Sequence, residues 1–144
     1  MIDILLIEDN ADDAEMTIRS LKRKNLADRL KWIKDGAEAV DFLFGKGKYS
    51  ERDISVKPKV IFLDLKLPKL NGLEILELVK KEPTTEQIPV VMLTSSQEER
   101  DIFKSYNLGV NSYIVKPLDF EEFAKAIVNV GTYWLNTNIA PQHK

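Results

Sequence analysis

The sequence of 144 residues contains no cysteine, and its one histidine, His143, lies in the polar segment "NIAPQHK". The missing thiols exclude disulfides, cysteine nucleophiles and cysteine-ligated metals. Without an internal histidine, a Ser-His-Asp triad and an HExxH zinc site are disfavoured as well. Any chemistry that this chain performs must therefore rest on carboxylates, hydroxyls, amines and backbone groups.

Long apolar runs and an excess of positive charge are also missing. No stretch approaches the ~18 consecutive apolar residues of a membrane span. The opening "MIDILLIEDNADD" has neither the basic lead-in nor the cleavage site of a signal peptide. Acidic residues slightly outnumber basic ones, for a formal net charge of -2, so no overall basic field attracts nucleic acid or an anionic membrane. We therefore expect a cytoplasmic protein with no nucleic-acid and no membrane partner.

Five short apolar segments are present, and each precedes a segment of helical periodicity. They are "DILLI" (3–7), "LKWIK" (30–34), "VIFL" (60–63), "IPVVMLT" (88–94) and "NSYIVKP" (111–117). Continuous apolar strands that alternate with helices indicate a parallel sheet covered on both faces. The pattern predicts an α/β fold, a doubly wound five-stranded parallel sheet with strand order 2-1-3-4-5. We expect one domain over residues 1–135 and a polar C-terminal tail over 136–144.

The intervening segments predict five helices. Their expected ranges are 12–24, about 36–45 with Gly45 closing the helix, 72–80, 97–107 and a last helix with Phe120, Phe123, Ile127, Val130 and Trp134 on one stripe. Residues 45–58 form a polar connection longer than most loops, which is either mobile or ordered against a partner.

Polar side chains follow the predicted strands at one edge of the sheet. In "KVIFLDLKLPKLNGLEIL" four apolar residues lead directly to Asp64, and Glu8 with Asp9 and Lys116 follow two other strands. In a doubly wound sheet, the crevice beyond the carboxyl ends of the first and third strands is the ligand site. Three carboxylates there repel one another unless a cation intervenes. Mg²⁺, which takes carboxylate oxygens and retains waters, suits such a crevice.

Four of these segments together resemble a known family. "IEDN", "FLDLKLPKLNG", "VMLTS" and "YIVKP" stand in order at successive strand ends and are similar to the receiver domain of bacterial and archaeal response regulators. The resemblance extends from about residue 3 to residue 131 and implies a flavodoxin-like three-layer sandwich. The 45–58 connection and the chain after Val130 further resemble stand-alone regulators that pair with cyanobacterial phytochromes.

The resemblance implies a role for each crevice residue. Asp64 would accept a phosphoryl group, while Asp9, with Glu8 through a water, would hold Mg²⁺ together with Asp64 and the backbone carbonyl of Lys66. Lys116 would pair with the phosphoryl group.

Two further residues acquire roles from the same resemblance. Thr94 would hydrogen-bond a phosphoryl oxygen, and Tyr113 would move from exposed to buried on activation. The resemblance also implies a cis Lys116-Pro117 bond, which would aim the lysine into the crevice.

The implied function is that of a single-domain phosphoacceptor in a two-component phosphorelay, not an enzyme with an external substrate. A sensor histidine kinase would be the donor. A protein effector or a histidine phosphotransfer protein would receive the signal, with a possible homodimer through the face of the fourth helix, fifth strand and fifth helix.

Other interpretations were weighed on single residues. A haloacid dehalogenase-type phosphatase needs a second aspartate where Lys66 stands, and an FMN carrier needs a phosphate loop where the acidic "EDNADD" stands. Asp12 and Asp13 have the ordinary explanation of acids in the first turn of a helix. A receiver-like scaffold that is never phosphorylated is the alternative that the sequence leaves open.

Overall fold

The computed structural model describes residues 2–141 and contains one parallel sheet of five strands. The strands are β1 (Ile4–Ile7), β2 (Leu30–Ile33), β3 (Val60–Leu63), β4 (Val90–Thr94) and β5 (Ser112–Val115). Their order is β2-β1-β3-β4-β5, and each neighbouring pair is parallel. The predicted doubly wound sheet and its strand order are confirmed. His143 lies outside the described residues.

The three central strands are buried along their whole length, whereas β2 and β5 at the two edges are mostly half-buried. Side chains alternate between the two faces of the sheet. Leu5, Ile61 and Met92 therefore join one core, and Leu6, Phe62 and Val91 join the other. Two cores of this kind need helices on both faces, which the doubly wound connection provides.

Five helices cover the sheet and begin close to the predicted positions. They are α1 (Ala11–Lys22), α2 (Gly36–Phe44), α3 (Gly72–Lys81), α4 (Glu99–Asn107) and α5 (Phe120–Thr132). Four of them begin with a side chain that accepts a hydrogen bond from the third helical N–H, and these caps are Asn10, Asp35, Asn71 and Asp119. Such caps satisfy N–H groups that the helix itself leaves unpaired.

Helix α4 begins two residues later than the sequence predicts. Its N-terminal neighbour Glu98 forms no side-chain cap. Ser96 instead donates its hydroxyl to the Asp101 carboxylate at 2.6 Å, across the first turn of the helix. This bond holds the preceding residues in an extended loop, so the helix cannot extend back to residue 97.

The 45–58 connection is ordered against the chain's own helix α2. A short 3₁₀ turn at Gly47–Tyr49 places the Tyr49 ring edge-on to Phe42, with 5.1 Å between centroids. The Tyr49 hydroxyl donates to Glu38 at 2.6 Å, and Arg52 donates to the Phe42 carbonyl at 3.0 Å. The sequence predicted that residues 45–58 are either mobile or ordered against a partner. The structure shows a third arrangement, in which they pack against helix α2 of the same chain.

Helix α5 places most of its predicted apolar stripe in the core. Phe123 and Ile127 are buried, and Val130 and Trp134 pack against the same cluster. Phe120 is the exception, because it is 50% exposed at the first position of the helix. A π-helical turn, Tyr133–Thr137, continues the helix. Among the described residues, no helix is both long and apolar enough to cross a membrane.

Candidate functional site

The sheet brings the predicted site residues to one edge. The register pairs Ile7 with Leu63, so Glu8 and Asp64, the next residues on β1 and β3, emerge side by side. The backbone N–H of Asp64 donates to the Ile7 carbonyl at 3.0 Å and continues the ladder past the last paired residues. On the other side, the N–H of Lys116 donates to the Thr94 carbonyl at 2.7 Å.

Three carboxylates form a cluster at this edge. Glu8, Asp9 and Asp64 each offer one oxygen, and these oxygens lie within 4.8 Å of one another. Glu8 and Asp64 are buried, while Asp9 is exposed at the mouth. Close carboxylates in a partly dry setting repel one another. A hard divalent cation with oxygen ligands fits this donor set, because it neutralises the repulsion without needing nitrogen or sulfur.

Lys116 supplies positive charge from the β5 side. Its Nζ lies 2.6 Å from Glu8 Oε1, 2.9 Å from Asp13 Oδ2 and 3.5 Å from Asp64 Oδ2. The lysine side chain is only 9% exposed. One ammonium thus faces three carboxylates, two of which also belong to the acid cluster.

The charges of the site shift the pKa values of its members. Burial, reinforced by the neighbouring Asp64, raises the pKa of Glu8 to about 8, and Lys116 offsets only part of this rise. Burial by itself lowers the pKa of Lys116. Hydrogen bonds with Asp13 and Glu8 outweigh that effect and hold the lysine pKa above its ordinary value. Glu8 therefore holds a proton more tightly than an exposed carboxylate does, as is typical of a site where several acids lie close together.

Thr94 and Tyr113 meet at the loop that follows β4. Thr94 is buried, and its hydroxyl oxygen accepts from the Ser96 N–H at 3.3 Å. The half-buried Tyr113 donates its hydroxyl to the Ser96 carbonyl at 3.0 Å. Ser96 also bonds to Asp101 on α4. The two residues that the sequence marked as switch candidates thus both bond to the backbone of one residue, Ser96, and the Ser96 hydroxyl bonds to α4.

An open cavity of about 610 Å³ lies beside the acid cluster. Asp9, Lys66 and Leu67 line one part of it, and Glu98 with Asp101 line the α4 side. Lys66 is exposed at the mouth. The crevice is therefore accessible from solvent to a group much larger than a metal ion.

The expectation of a cis Lys116-Pro117 bond is wrong, since no peptide bond within residues 2–141 is cis. The backbone of Lys116 continues the β4–β5 ladder through Thr94. Its long side chain reaches the crevice through the ion pairs with Glu8 and Asp13. These contacts direct the ammonium without a change in the peptide bond.

Two site contacts were missed from sequence. Asp13 pairs with Lys116 although the residues are separated by 103 positions, and first-turn acids have an ordinary explanation in the helix dipole. The indole N–H of Trp32 donates to the Glu8 carbonyl at 2.8 Å. The Trp32 contact could have been anticipated from its position near the end of β2, which pairs with β1. No sequence feature indicated the Asp13 contact.

With fold and site in view, comparison with known proteins places the chain in a family. The family model of the response regulator receiver domain matches residues 4–128. The chain belongs to this family and is a receiver-domain response regulator of two-component systems. The resemblance that the strand-end motifs indicated is thus confirmed.

Individual relatives cover nearly the whole chain. Response regulator Rcp1 of Synechocystis is 37% identical over 96% of this chain and 92% of its own length. A probable methanogenesis regulatory protein, FilR2 of Methanothrix harundinacea, is 37% identical over 96% of this chain and 86% of its own length. The phosphorylated cyanobacterial phytochrome response regulator RcpA superposes with a TM-score of 0.90 at 35% identity, over 98% of this chain and 99% of RcpA. The softer resemblance to phytochrome-associated regulators is confirmed too.

Proposed function

We propose that this protein accepts a phosphoryl group on Asp64, with Mg²⁺ bound by the adjacent carboxylates, and signals through its altered surface. One observation carries the proposal. A buried carboxylate at the end of a central strand lies within a cluster of acids and 3.5 Å from a buried ammonium. The neighbours support it as well, since one solved structure is the phosphorylated RcpA and another is the Mn²⁺-bound form of Rcp1.

Asp64 supplies the nucleophile. An oxygen of its carboxylate attacks phosphorus, a new O–P bond forms, and the bond between phosphorus and the donor breaks. The donor takes the electron pair of that bond; for a phosphohistidine this is the imidazole nitrogen. We assign the donor role to a phosphohistidine of a sensor histidine kinase. Such transfer needs mainly alignment and charge neutralisation from the protein.

The acid cluster would hold the cation. Glu8, Asp9 and Asp64 contribute carboxylate oxygens, and the Lys66 carbonyl completes the protein ligands that we assign. When bound, Mg²⁺ neutralises charge on the phosphoryl oxygens. Lys116 neutralises further phosphoryl charge from the opposite side, where its ammonium already lies close to Asp64.

Thr94 and Tyr113 would carry the change outward. A phosphoryl group adds roughly two negative charges and new acceptor oxygens. If the Thr94 hydroxyl donates to one of these oxygens, its contact with the Ser96 N–H is altered, and the Tyr113–Ser96 bond and the Ser96–Asp101 bond lie directly downstream. We assign the output to the face of α4, β5 and α5, where Phe103 and Tyr106 are exposed. The partners would be a sensor histidine kinase and a protein effector or histidine phosphotransfer protein, with a homodimer through this face as a further possibility.

Intact mass after incubation with acetyl phosphate and Mg²⁺ tests the proposal. We expect a gain of one phosphoryl group in the wild type and none in Asp64→Ala or in EDTA. Asp12→Ala is the matched control, because this exposed acid lies in the first turn of α1 but outside the carboxylate cluster. Beryllofluoride, a stable mimic of the acyl phosphate, guards against rapid hydrolysis. A wild type that neither gains mass nor binds beryllofluoride contradicts the proposal and favours a receiver-like scaffold.

A further inference from the structure

Within residues 2–141, Asp13 is the one ion partner of Lys116 that lies outside the acid cluster. The lysine ammonium has three protons and faces Glu8, Asp13 and Asp64 at 2.6, 2.9 and 3.5 Å. Glu8 and Asp64 both belong to the group of oxygens that converge within 4.8 Å. A cation that draws on those two residues competes with Lys116 for them. The Asp13 carboxylate, on α1, is not subject to that competition.

The position of Asp13 is set by the start of α1. Its backbone N–H donates to the Asn10 side chain at 3.0 Å, and its carbonyl accepts from the Thr17 hydroxyl at 2.8 Å. The carboxylate itself is 31% exposed and makes its ion pair across the crevice to β5. A charged hydrogen bond of this length to a nearly buried lysine restricts the lysine more than a pair on the open surface does.

We propose that Asp13 is a positioning residue that holds Lys116 beside Asp64 when the carboxylate cluster binds its cation. The proposal rests on the proposed function of Asp64 and adds to it a residue with no assigned role. Lysine has a long side chain with large conformational freedom. If Glu8 turns to the cation, Asp13 keeps the ammonium in the crevice, where it meets the incoming phosphoryl group. Asp13 acts through Lys116 and touches neither cation nor phosphoryl group.

Asp12 offers a matched control. It lies in the same first turn of α1, carries the same charge and is exposed, but it is not an ion partner of Lys116. Asp13→Asn and Asp12→Asn therefore remove equal charge from nearly the same place. Any general reduction in repulsion toward an anion, and any loss at the helix N-terminus, should affect both variants alike.

The first measurement is the affinity for beryllofluoride in saturating Mg²⁺. We expect Asp13→Asn to bind about tenfold more weakly than Asp12→Asn, the cost of losing one charged hydrogen bond that prepares the lysine. Equal affinities, or tighter binding by Asp13→Asn, would overturn the inference, because Asp13 would then be a bystander or a competitor for Lys116. A wild type that fails to bind beryllofluoride would instead overturn the proposed function on which the inference rests.

The second measurement needs no phosphoryl group. The rate at which an amine-reactive reagent labels Lys116, read by peptide mass mapping with and without Mg²⁺, reports whether the ammonium is held. We expect Mg²⁺ to leave Lys116 protected in the wild type and in Asp12→Asn, and to raise its labelling several-fold in Asp13→Asn. Protection that persists in Asp13→Asn with Mg²⁺ contradicts the inference even if the proposed function stands.

Discussion

The half-buried Lys80 and the nearly buried Lys116 lie at opposite ends of the strands of the same sheet, and their ammonium groups have different kinds of partner. Near the amino ends of β4 and β5, the Lys80 ammonium donates to the carbonyls of Glu86 and Ile88 and to the side-chain oxygen of Asn111, at 2.9 to 3.1 Å. At the carboxyl ends, Lys116 faces three carboxylates. The three protons of Lys80 are thus donated to neutral oxygens, whereas Lys116 is surrounded by more negative charge than it can neutralise.

The difference separates a structural contact from a functional one. Lys80 cross-links α3 to the loops around β4, and Asn111 passes the link on by accepting from the Val90 N–H at 2.9 Å. Every proton of the Lys80 ammonium has an acceptor, so no donor remains to bind a ligand. Around Lys116 one positive charge meets Glu8, Asp13 and Asp64, with Asp9 close by. Such a site gains from a second cation, so its stability should depend on what binds there.

Replacing each lysine by methionine should give the largest effects. Lys80→Met leaves three carbonyl oxygens without their donor, and we expect the free energy of unfolding to fall by about 2–3 kcal/mol. Lys116→Met breaks a buried ion pair, which costs about 3 kcal/mol. In urea unfolding, Mg²⁺ should stabilise Lys116→Met more than the wild type, because the acids lack their counter-ion, and Lys80→Met no more than the wild type. An equal gain in stability from Mg²⁺ in the two variants would contradict the proposed difference between the surroundings of Lys80 and Lys116.

Cation binding should give the next largest effect. Because a ligand that binds only the folded state stabilises it, Mg²⁺ at 100 times its Kd should add about 2.7 kcal/mol to the free energy of unfolding. Thermal unfolding with and without Mg²⁺ measures this gain. Asp9→Ala should abolish it, and Asp12→Ala, an exposed acid nearby, should retain it. If Asp9→Ala is stabilised as fully as the wild type, our assignment of the metal ligands is wrong.

The smallest effect concerns alkaline stability, where the two lysines should act in opposite directions. Burial lowers the pKa of Lys80, so the unfolded chain retains that proton to higher pH than the folded one, and stability from this residue rises as pH approaches 10.5. The pKa of Lys116 is raised by its carboxylate partners despite burial. Its stabilisation is complete below 10.5 and is lost as pH rises above that value.

Urea unfolding from pH 8 to 11 tests this prediction. Relative to the wild type, the deficit of Lys80→Met should grow as pH approaches 10.5. The deficit of Lys116→Met should shrink above 10.5, well past the pKa of Glu8, which is about 8 in the wild type. Both variants retain the tyrosines, whose ionisation therefore cancels in the comparison. Deficits that change in the same direction would show that the neighbouring groups do not shift the two pKa values as described.

Sequence patterns predicted most of the fold because burial acts on short segments. A run such as Val60–Leu63 is apolar on both faces, and only a central strand of a parallel sheet suits it. The position of Asp64 followed from that strand, and its neighbours followed from the order of the strands. The four side-chain caps are local signals too, which explains why most helix starts were close.

The missed features depend on contacts between distant segments. The Asp13–Lys116 pair joins residues that are 103 positions apart, across the crevice. In the sequence, Asp13 is explained by its place in the first turn of α1. Only the fold shows that its carboxylate also pairs with Lys116. Phe120 was misplaced because helical periodicity continues to the first position of α5, where half of its side chain is exposed.

The first residues of α2 and α3 limit how this protein can evolve. A methyl group on Gly36 would collide with the Leu70 carbonyl, and one on Gly72 would collide with the carbonyl of Asp64. Helix α3 thus presses directly on the backbone at Asp64, and α2 presses on the backbone of the loop that precedes α3; glycine alone permits either approach. Natural variation must therefore leave these two positions alone. It is free to act at Lys66, whose side chain is exposed at the mouth of the crevice.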